Sequence, residues 1–439
     1  MKEGYKETPV GMIPEDWGVK KLGELGVTYN GLTGKTKEDF GFGMPYIPYK
    51  NIFKNSSIDP EYLDFVQVSP DENQNTCKYG DIFFTTSSET AEEVGMSSVL
   101  LKEIPETYLN SFCFGFRLTD FHTLIPDYAR YLLRGDDTRK ILNVLAQGYT
   151  RYNLSKTNLL ERLLLKIPPL SEQSKIASIL STVDDKIDSI NQRIEETRKL
   201  KQGLMQQLLT RGIGHSKFKD SPLGEIPESW EVVKIEDLLD AGRIISHLDG
   251  NHGELYPKAN EFIGHGIPYI GANSFVDGRV DFSLCKRLSI ERASKFKKGV
   301  AKSGDVLFAH NATVGPVAFL ETKHEYVILS TTATYYRLDN KTIDSKFWLY
   351  FLCSDSFKSQ YSRVMGQSTR NQVPITMQRS FISIVPTYNE QRLIGNILCA
   401  VDNKITTLQG KKTDYEQLKK GLMQQLLTGK IRVKLSRQL

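Results

Sequence analysis

The chain has 439 residues, 39% hydrophobic and 10% aromatic, which fits two or three packed domains and excludes a disordered chain. Its net charge of +5 is mild for this length, so it permits a nucleic-acid partner without requiring one. Cys77, Cys113, Cys285, Cys353 and Cys399 never fall in a CxxC spacing, so buried free thiols are expected rather than disulfides or a zinc site.

The N-terminal MKEGYKETPVGMIPEDW contains no apolar run resembling a signal peptide, and no segment offers the 18 apolar residues of a membrane span. A cytoplasmic protein with no membrane contact is expected. After PVGMIPEDW (9–17) come short aromatic and β-branched runs broken by Gly and Pro, such as PYIPYKNI, which read as strands and turns. GLTGKT (31–36) contains GKT, but a phosphate-binding loop would need glycine at 29, where the chain has Tyr29. FCFGF (112–116) lacks the second glycine and the βαβ context of a nucleotide loop.

From Ser171, Ile176, Leu180, Val183, Ile187, Ile190 and Ile194 recur at alternating steps of four and three, a heptad seam. Pro168 and Pro169 block upstream continuation and Ser171 is a suitable N-cap. Roughly 40 residues at about 1.5 Å each predict a rod near 60 Å long that needs a partner for its seam.

The second half repeats these landmarks in the same order. PLGEIPESW (222–230) answers PVGMIPEDW, IPYI (267–270) answers MPYI (44–47), and SGDVLFAHNATVG (303–315) answers YGDIFFTTSSETAEEVG (79–95). A second seam through Ile394, Leu398, Val401, Ile405 and Leu408 starts after Pro386, with Asn389 as N-cap or Thr387-x-x-Glu390 as a competing capping box. The octapeptide GLMQQLLT occurs at 203–210 and again at 421–428, an offset of 218 residues. Two heptad helices in one chain are expected to pack antiparallel. The octapeptides then either dock a partner at each end of the pair, through Leu204, Met205, Leu208, Leu209, Leu422, Met423, Leu426 and Leu427, or complete the intramolecular seam.

No HExxH, GxSxG or paired-carboxylate and lysine arrangement is present, which favours a recognition or assembly component over an enzyme. A shared frame with divergent loops suits two different recognition surfaces. Amide, hydroxyl and guanidinium groups on such loops suit base edges, and nearby cations suit phosphates. The DNA-binding candidates in the first half are Lys35, Lys37, Lys50, Asn51, Thr85, Thr86, Ser87, Ser88, Thr90, Gln147, Tyr149 and Arg151. In the second half they are Arg243, His247, Asn273, Ser274, His310, Asn311, Thr313, Gln367, Thr369, Arg370 and Asn371. Serine, threonine and asparagine at these positions equally suit turns that satisfy their own backbone.

In its IPEDW and IPESW motifs, PYI and GD(I/V)xF strands, QGYTRYNL and GQSTRNQV loops, PPLSEQ and PTYNEQ helix starts, paired GLMQQLLT and terminal TGKIRV, the chain resembles the specificity subunit of type I restriction–modification systems from end to end. The resemblance implies an α+β chain with two target recognition domains, each reading half of a split DNA sequence, separated by two long antiparallel coiled-coil helices under a pseudo-two-fold repeat. It places domains at 1–168 and 212–386, helices at 169–211 and 387–430, and a tail at 431–439. It implies two methyltransferase subunits as partners, with restriction subunits added, and S-adenosylmethionine, ATP and Mg²⁺ held by those partners with no cofactor in this chain. TRNQVPIT departs from the family pattern, because the Asn-Leu that follows Arg151 in the first copy is missing after Arg370. A fused methyltransferase or nuclease, and a coiled-coil adaptor without sequence preference, are the competing readings.

Overall fold

A computed structural model of the chain describes residues 3–366 and 371–434. The chain forms two compact units, Met1–Asn191 with Gly410–Leu439, and Gln192–Gln409. Their boundaries fall inside two helices of 39 residues each, Leu170–Leu208 and Tyr388–Leu426. Each unit therefore combines a β-rich domain, the N-terminal half of the helix that follows it and the C-terminal half of the other helix. The architecture is α+β with an internal repeat.

In the first unit a four-stranded antiparallel sheet runs Gly26–Asn30, Cys113–Leu118, Ile82–Thr85, Ser97–Val99. Its GDIFF strand is apolar throughout because both faces are covered: Ile82 and Phe84 enter one core and Phe83 another. The second unit builds a six-stranded sheet in which GDVLF starts the strand Val306–Asn311. There Val306 and Phe308 enter one core and Leu307 another. In both units the aspartate of the GD pair anchors this strand. Asp81 accepts Nε and Nη2 of Arg117 (2.8 and 2.6 Å), and Asp305 accepts Nε and Nη2 of Arg337 (2.9 and 2.8 Å).

Each domain closes on itself before its helix begins. Gly18–Lys21 pairs antiparallel with Leu164–Ile167, and Glu231–Lys234 with Ile382–Val385. With Ser171 and Asn389 as N-caps the helices would begin at Glu172 and Glu390; they begin two residues earlier, at Leu170 and Tyr388, which in the second helix agrees with the competing Thr387 cap. Ser171 and Asn389 lie inside the first turn, and in the second helix the Glu390 N–H is capped by the Thr387 hydroxyl at 3.4 Å.

The Glu-Gln pair that opens each helix is structural. Trp17 Nε1 donates to Glu172 (2.9 Å) and Trp230 Nε1 to Glu390 (3.0 Å), which explains the tryptophan in IPEDW and IPESW. Gln173 accepts from Ile125 N and donates to the Thr123 and Pro168 carbonyls. Gln391 does the same with Asp344 N and the Thr342 and Pro386 carbonyls. A buried Gln satisfied at both ends joins helix to domain.

Helix direction follows from contacts within each unit. In the first, Glu172 meets Arg432 just beyond the second helix, while Asp184 further along meets Lys419 further back. In the second, Lys201 meets Asp402 and Ile213 N meets Glu390. Both pairs of steps run in opposite senses, so the helix segments are antiparallel.

The octapeptides are used inside the chain. Leu208 and Leu209 are buried in the core of the second unit, with Leu204 and Met205 packed against it. Leu426 and Leu427 are buried in the core of the first, with Leu422 and Met423 alongside. This corrects the expectation that all eight face a partner: the four buried leucines are packed beside Trp230 or Trp17 and have no surface to offer.

Replacing Trp230 by Phe should keep an aromatic ring in the core, smaller than the indole, and remove one donor from the buried Glu390. A charge-assisted hydrogen bond contributes about 1.5 to 3 kcal/mol, so the unfolding midpoint of Trp230→Phe should fall. An unchanged midpoint in a thermal or denaturant melt would show that this bond does not hold the domain to its helix.

Candidate nucleic-acid interface

The matched loops meet at the far end of the matched strands. In the first unit the chain leaving Ile82–Thr85 forms a short strand, Ser87–Ser88, which pairs with Tyr152–Asn153 of the hairpin Ala146–Gln147/Tyr152–Leu154. That hairpin carries Gln147, Tyr149 and Arg151. In the second unit the end of Val306–Asn311 is met by the corresponding segment. Asn311 bridges to Gln372, Ala312 N donates to Asn371 O (2.9 Å), and Val373 N donates to His310 O (2.8 Å). Frame and loop therefore divide at one place in both units: the aspartate anchors one end of the strand and the divergent residues sit at the other.

Exposure separates the candidates that face outward from those that support the loops. In the first unit Lys37, Lys50, Thr90, Gln147 and Arg151 are exposed, Tyr149 is 99% exposed at the hairpin tip, and Thr86 and Ser88 are half-buried. Four candidates of that unit are corrected. Asn51 is fully buried, its amide donating to the Asp59 and Tyr62 carbonyls while its oxygen accepts from Asp59 N. Thr85 is buried and accepts from Met96 N. Ser87 is buried and accepts from Nε and Nη2 of Arg151 at 3.1 and 2.8 Å. Lys35 is paired with Glu72 at 2.6 Å, its side chain only 6% exposed.

In the second unit Asn273, Thr313 and Asn371 are exposed and Asn311 is half-buried. Ser274 is buried and bonded to Gly271 O, and Arg243 is paired with Glu231 at 2.7 Å. His310 is buried, with Nδ1 at 3.1 Å from Val373 O. His247 is buried too, stacked on Tyr336 with ring centroids 4.0 Å apart and Nε2 at 3.2 Å from Gln378 Oε1. Both histidines support the loops from beneath. Gln367, Thr369 and Arg370 lie outside the described residues.

Beside the first unit's hairpin is a cleft of about 610 Å³, lined by Tyr49, Phe53 and Phe112 together with Ser87, Ser88, Glu89, Glu93, Thr150 and Arg151. Its aromatic and acidic members were absent from the sequence candidates, because carboxylates are not expected on a DNA-facing surface. For Glu93 the available signal was its place in the divergent loop that follows the GD strand. Among the described residues no group of three or more His, Cys, Asp or Glu is placed to hold a metal ion, and no helix is long and apolar enough to cross a membrane.

Residues 14–198 and 227–417 each match the type I restriction modification DNA specificity domain. The chain belongs to that family. It is 30% identical over 439 residues to the putative type I restriction enzyme MjaX specificity subunit of Methanocaldococcus jannaschii, covering 99% of this chain and 98% of the relative. To the type I restriction enzyme EcoKI specificity subunit of Escherichia coli it is 22% identical over 395 residues, 87% of this chain and 81% of the other. The crystal structure of the type I restriction–modification S subunit from M. genitalium matches with a TM-score of 0.55 at 16% identity, over 96% of this chain and 97% of that one, a likeness of fold. The two matched segments supply one DNA specificity domain for each half of the repeat.

The buried histidine of the second specificity domain gives a pH test. Burial lowers the His247 pKa from its ordinary 6.5 to about 3, so the folded protein keeps it neutral while the unfolded chain takes up a proton below pH 6.5. Its stabilising contribution is complete above pH 6.5 and is lost as pH falls towards 3, with a slope of up to about 1.4 kcal/mol per pH unit. Between pH 7 and 5 the wild type should lose more stability than His247→Phe. Parallel loss in the two proteins would contradict a neutral buried imidazole.

Proposed function

We propose that each unit reads one half of a bipartite double-stranded DNA target through the loops at the end of its central strand, with the two long helices acting as the spacer. The observation that carries this is the repeated junction. The same aspartate–arginine anchor, apolar strand and loop contact occur twice, yet one copy presents Gln147, Tyr149 and Arg151 and the other Asn311, Thr313 and Asn371. Different side chains on equivalent frames suit two different half-sites.

Catalysis is assigned to partners: two methyltransferase subunits and added restriction subunits, acting in the cytoplasm with S-adenosylmethionine, ATP and Mg²⁺. The lysine of GLTGKT is paired with Glu72, so that stretch offers no free cation to a nucleotide phosphate. For docking, Leu204, Met205, Leu422 and Met423 keep partial exposure, and the helices also expose Leu200, Leu393, Ile397 and Leu418. Leu393 and Ile397 are four residues apart and share one helix face.

The map of methylated sites made by the assembled complex tests the reading of DNA. Two unlike half-sites around an unread spacer are expected. Removing one heptad from each helix, about 10 Å at 1.5 Å per residue, should change the preferred spacer. A continuous or symmetric target would refute the bipartite reading, and an unchanged spacer would remove the helices from setting the distance.

Docking is tested by the mass of the complex formed with excess methyltransferase subunit. Leu393→Asp with Ile397→Asp, both exposed and outside the cores, should lower the number of subunits bound. Full occupancy by the folded double variant would exclude that face.

A further inference from the structure

The first unit's cleft carries a chemistry that phosphate neutralisation does not require. Glu93 is exposed, and Ser88 Oγ donates to its Oε2 at 3.0 Å, so the carboxylate is oriented by a neutral hydroxyl rather than by a cation. Such a charge beside DNA is repelled by the backbone, which makes it unfavourable unless a donor on the bases meets it. A carboxylate is an acceptor only. In the major groove it repels guanine O6 and N7 and thymine O4. It accepts from the cytosine N4 amino group, a donor without the adjacent N7 acceptor that adenine presents.

Arg151 is prepared in the complementary sense. Ser87 Oγ takes Nε–H and one Nη2–H, which fixes one edge of the guanidinium. The opposite end, with the Nη1 hydrogens and the second Nη2 hydrogen, is left to form two parallel bonds. That fork matches O6 and N7 of guanine. Ser87 and Ser88 are consecutive on one short strand, and that strand is paired with the hairpin that carries Arg151. Tyr49 holds the strand in turn, its hydroxyl donating to Ser87 O at 3.1 Å. Guanidinium and carboxylate thus line one cleft, each held by one of two neighbouring serines.

We infer that this cleft reads a G·C base pair, with Arg151 on the guanine and Glu93 on the amino group of its cytosine. The inference rests on the proposed DNA-reading role of the first unit and adds the base pair read and a residue, Glu93, that sets it.

The test is competition binding of the complex, assembled with its methyltransferase subunits, to duplexes carrying each of the four base pairs at every target position. At one G·C position, Glu93→Gln should reduce the preference for cytosine by about 5- to 150-fold, the discrimination typical of one good base contact. Arg151→Ala should relax the same position, while every position of the other half-site stays unchanged. Glu93 is exposed, so its replacement by Gln leaves the packing intact. A Glu93→Gln profile identical to the wild type, or a loss of preference at an A·T position, overturns the inference while the bipartite reading stands. A wild-type complex that binds all duplexes equally overturns both.

Discussion

A buried carboxylate at the first turn of each long helix is the fastening on which both units depend. Glu172 is 1% exposed and receives Trp17 Nε1 together with Nε and Nη2 of Arg432. Glu390 is 8% exposed and receives Trp230 Nε1, Ile213 N and His215 Nε2. An unpaired carboxylate in such a place would cost several kcal/mol, so its donors are held in position by the requirement to satisfy it. Each of these residues thereby joins three stretches of chain: the entry to the domain, the start of its helix, and the segment just beyond the end of the other helix.

That requirement explains why the frame is repeated while the loops are not. A tryptophan, a Glu-Gln pair and an Asp–Arg anchor have their hydrogen-bonding capacity used within the fold, and altering any one leaves a buried partner unsatisfied. Residues at the far end of the GD strand are bound by no such condition. In the first unit that end is extended by a hairpin and in the second by a bridge between Asn311 and Gln372, two solutions to the same edge. Variation concentrates where the backbone is paired but the side chains face outward.

The sequence made the frame legible because its signals are periodic or paired. Ile176, Leu180, Ile394 and Leu398 of the heptads are buried in the cores of their units, and the order of landmarks identified the repeat. Individual site residues were less legible, since an amide or imidazole has the same identity in a loop and in a core. Asn51, next to the exposed Lys50, is consumed by its own loop, and His247 lies on a six-residue strand with its ring against Tyr336. Glu93 was not among the sequence candidates, and only the cleft places it in one lining with Arg151.

The repeated octapeptide follows from the same fastening. Just beyond each copy the chain turns at a left-handed glycine, Gly212 at φ 63° and Gly429 at φ 70°. Added Cβ atoms there would come within 2.6 Å of Trp230 and of Pro14, so these turns lie directly against the entry motifs. The paired leucines before them, Leu208 with Leu209 and Leu426 with Leu427, fill the cores that contain Trp230 and Trp17. Two helix ends that fit near-identical sockets made by IPESW and IPEDW are under the same volume and register constraint, and close-packed cores register differences of a single methylene. Identity of the leucines and of their spacing is the expected result, without any contribution from a binding partner. The exposed Gln206, Gln207 and Gln424 are not held by that packing. Gln424 is held instead from outside the core, its Nε2 donating to Asp136 Oδ2 at 2.9 Å.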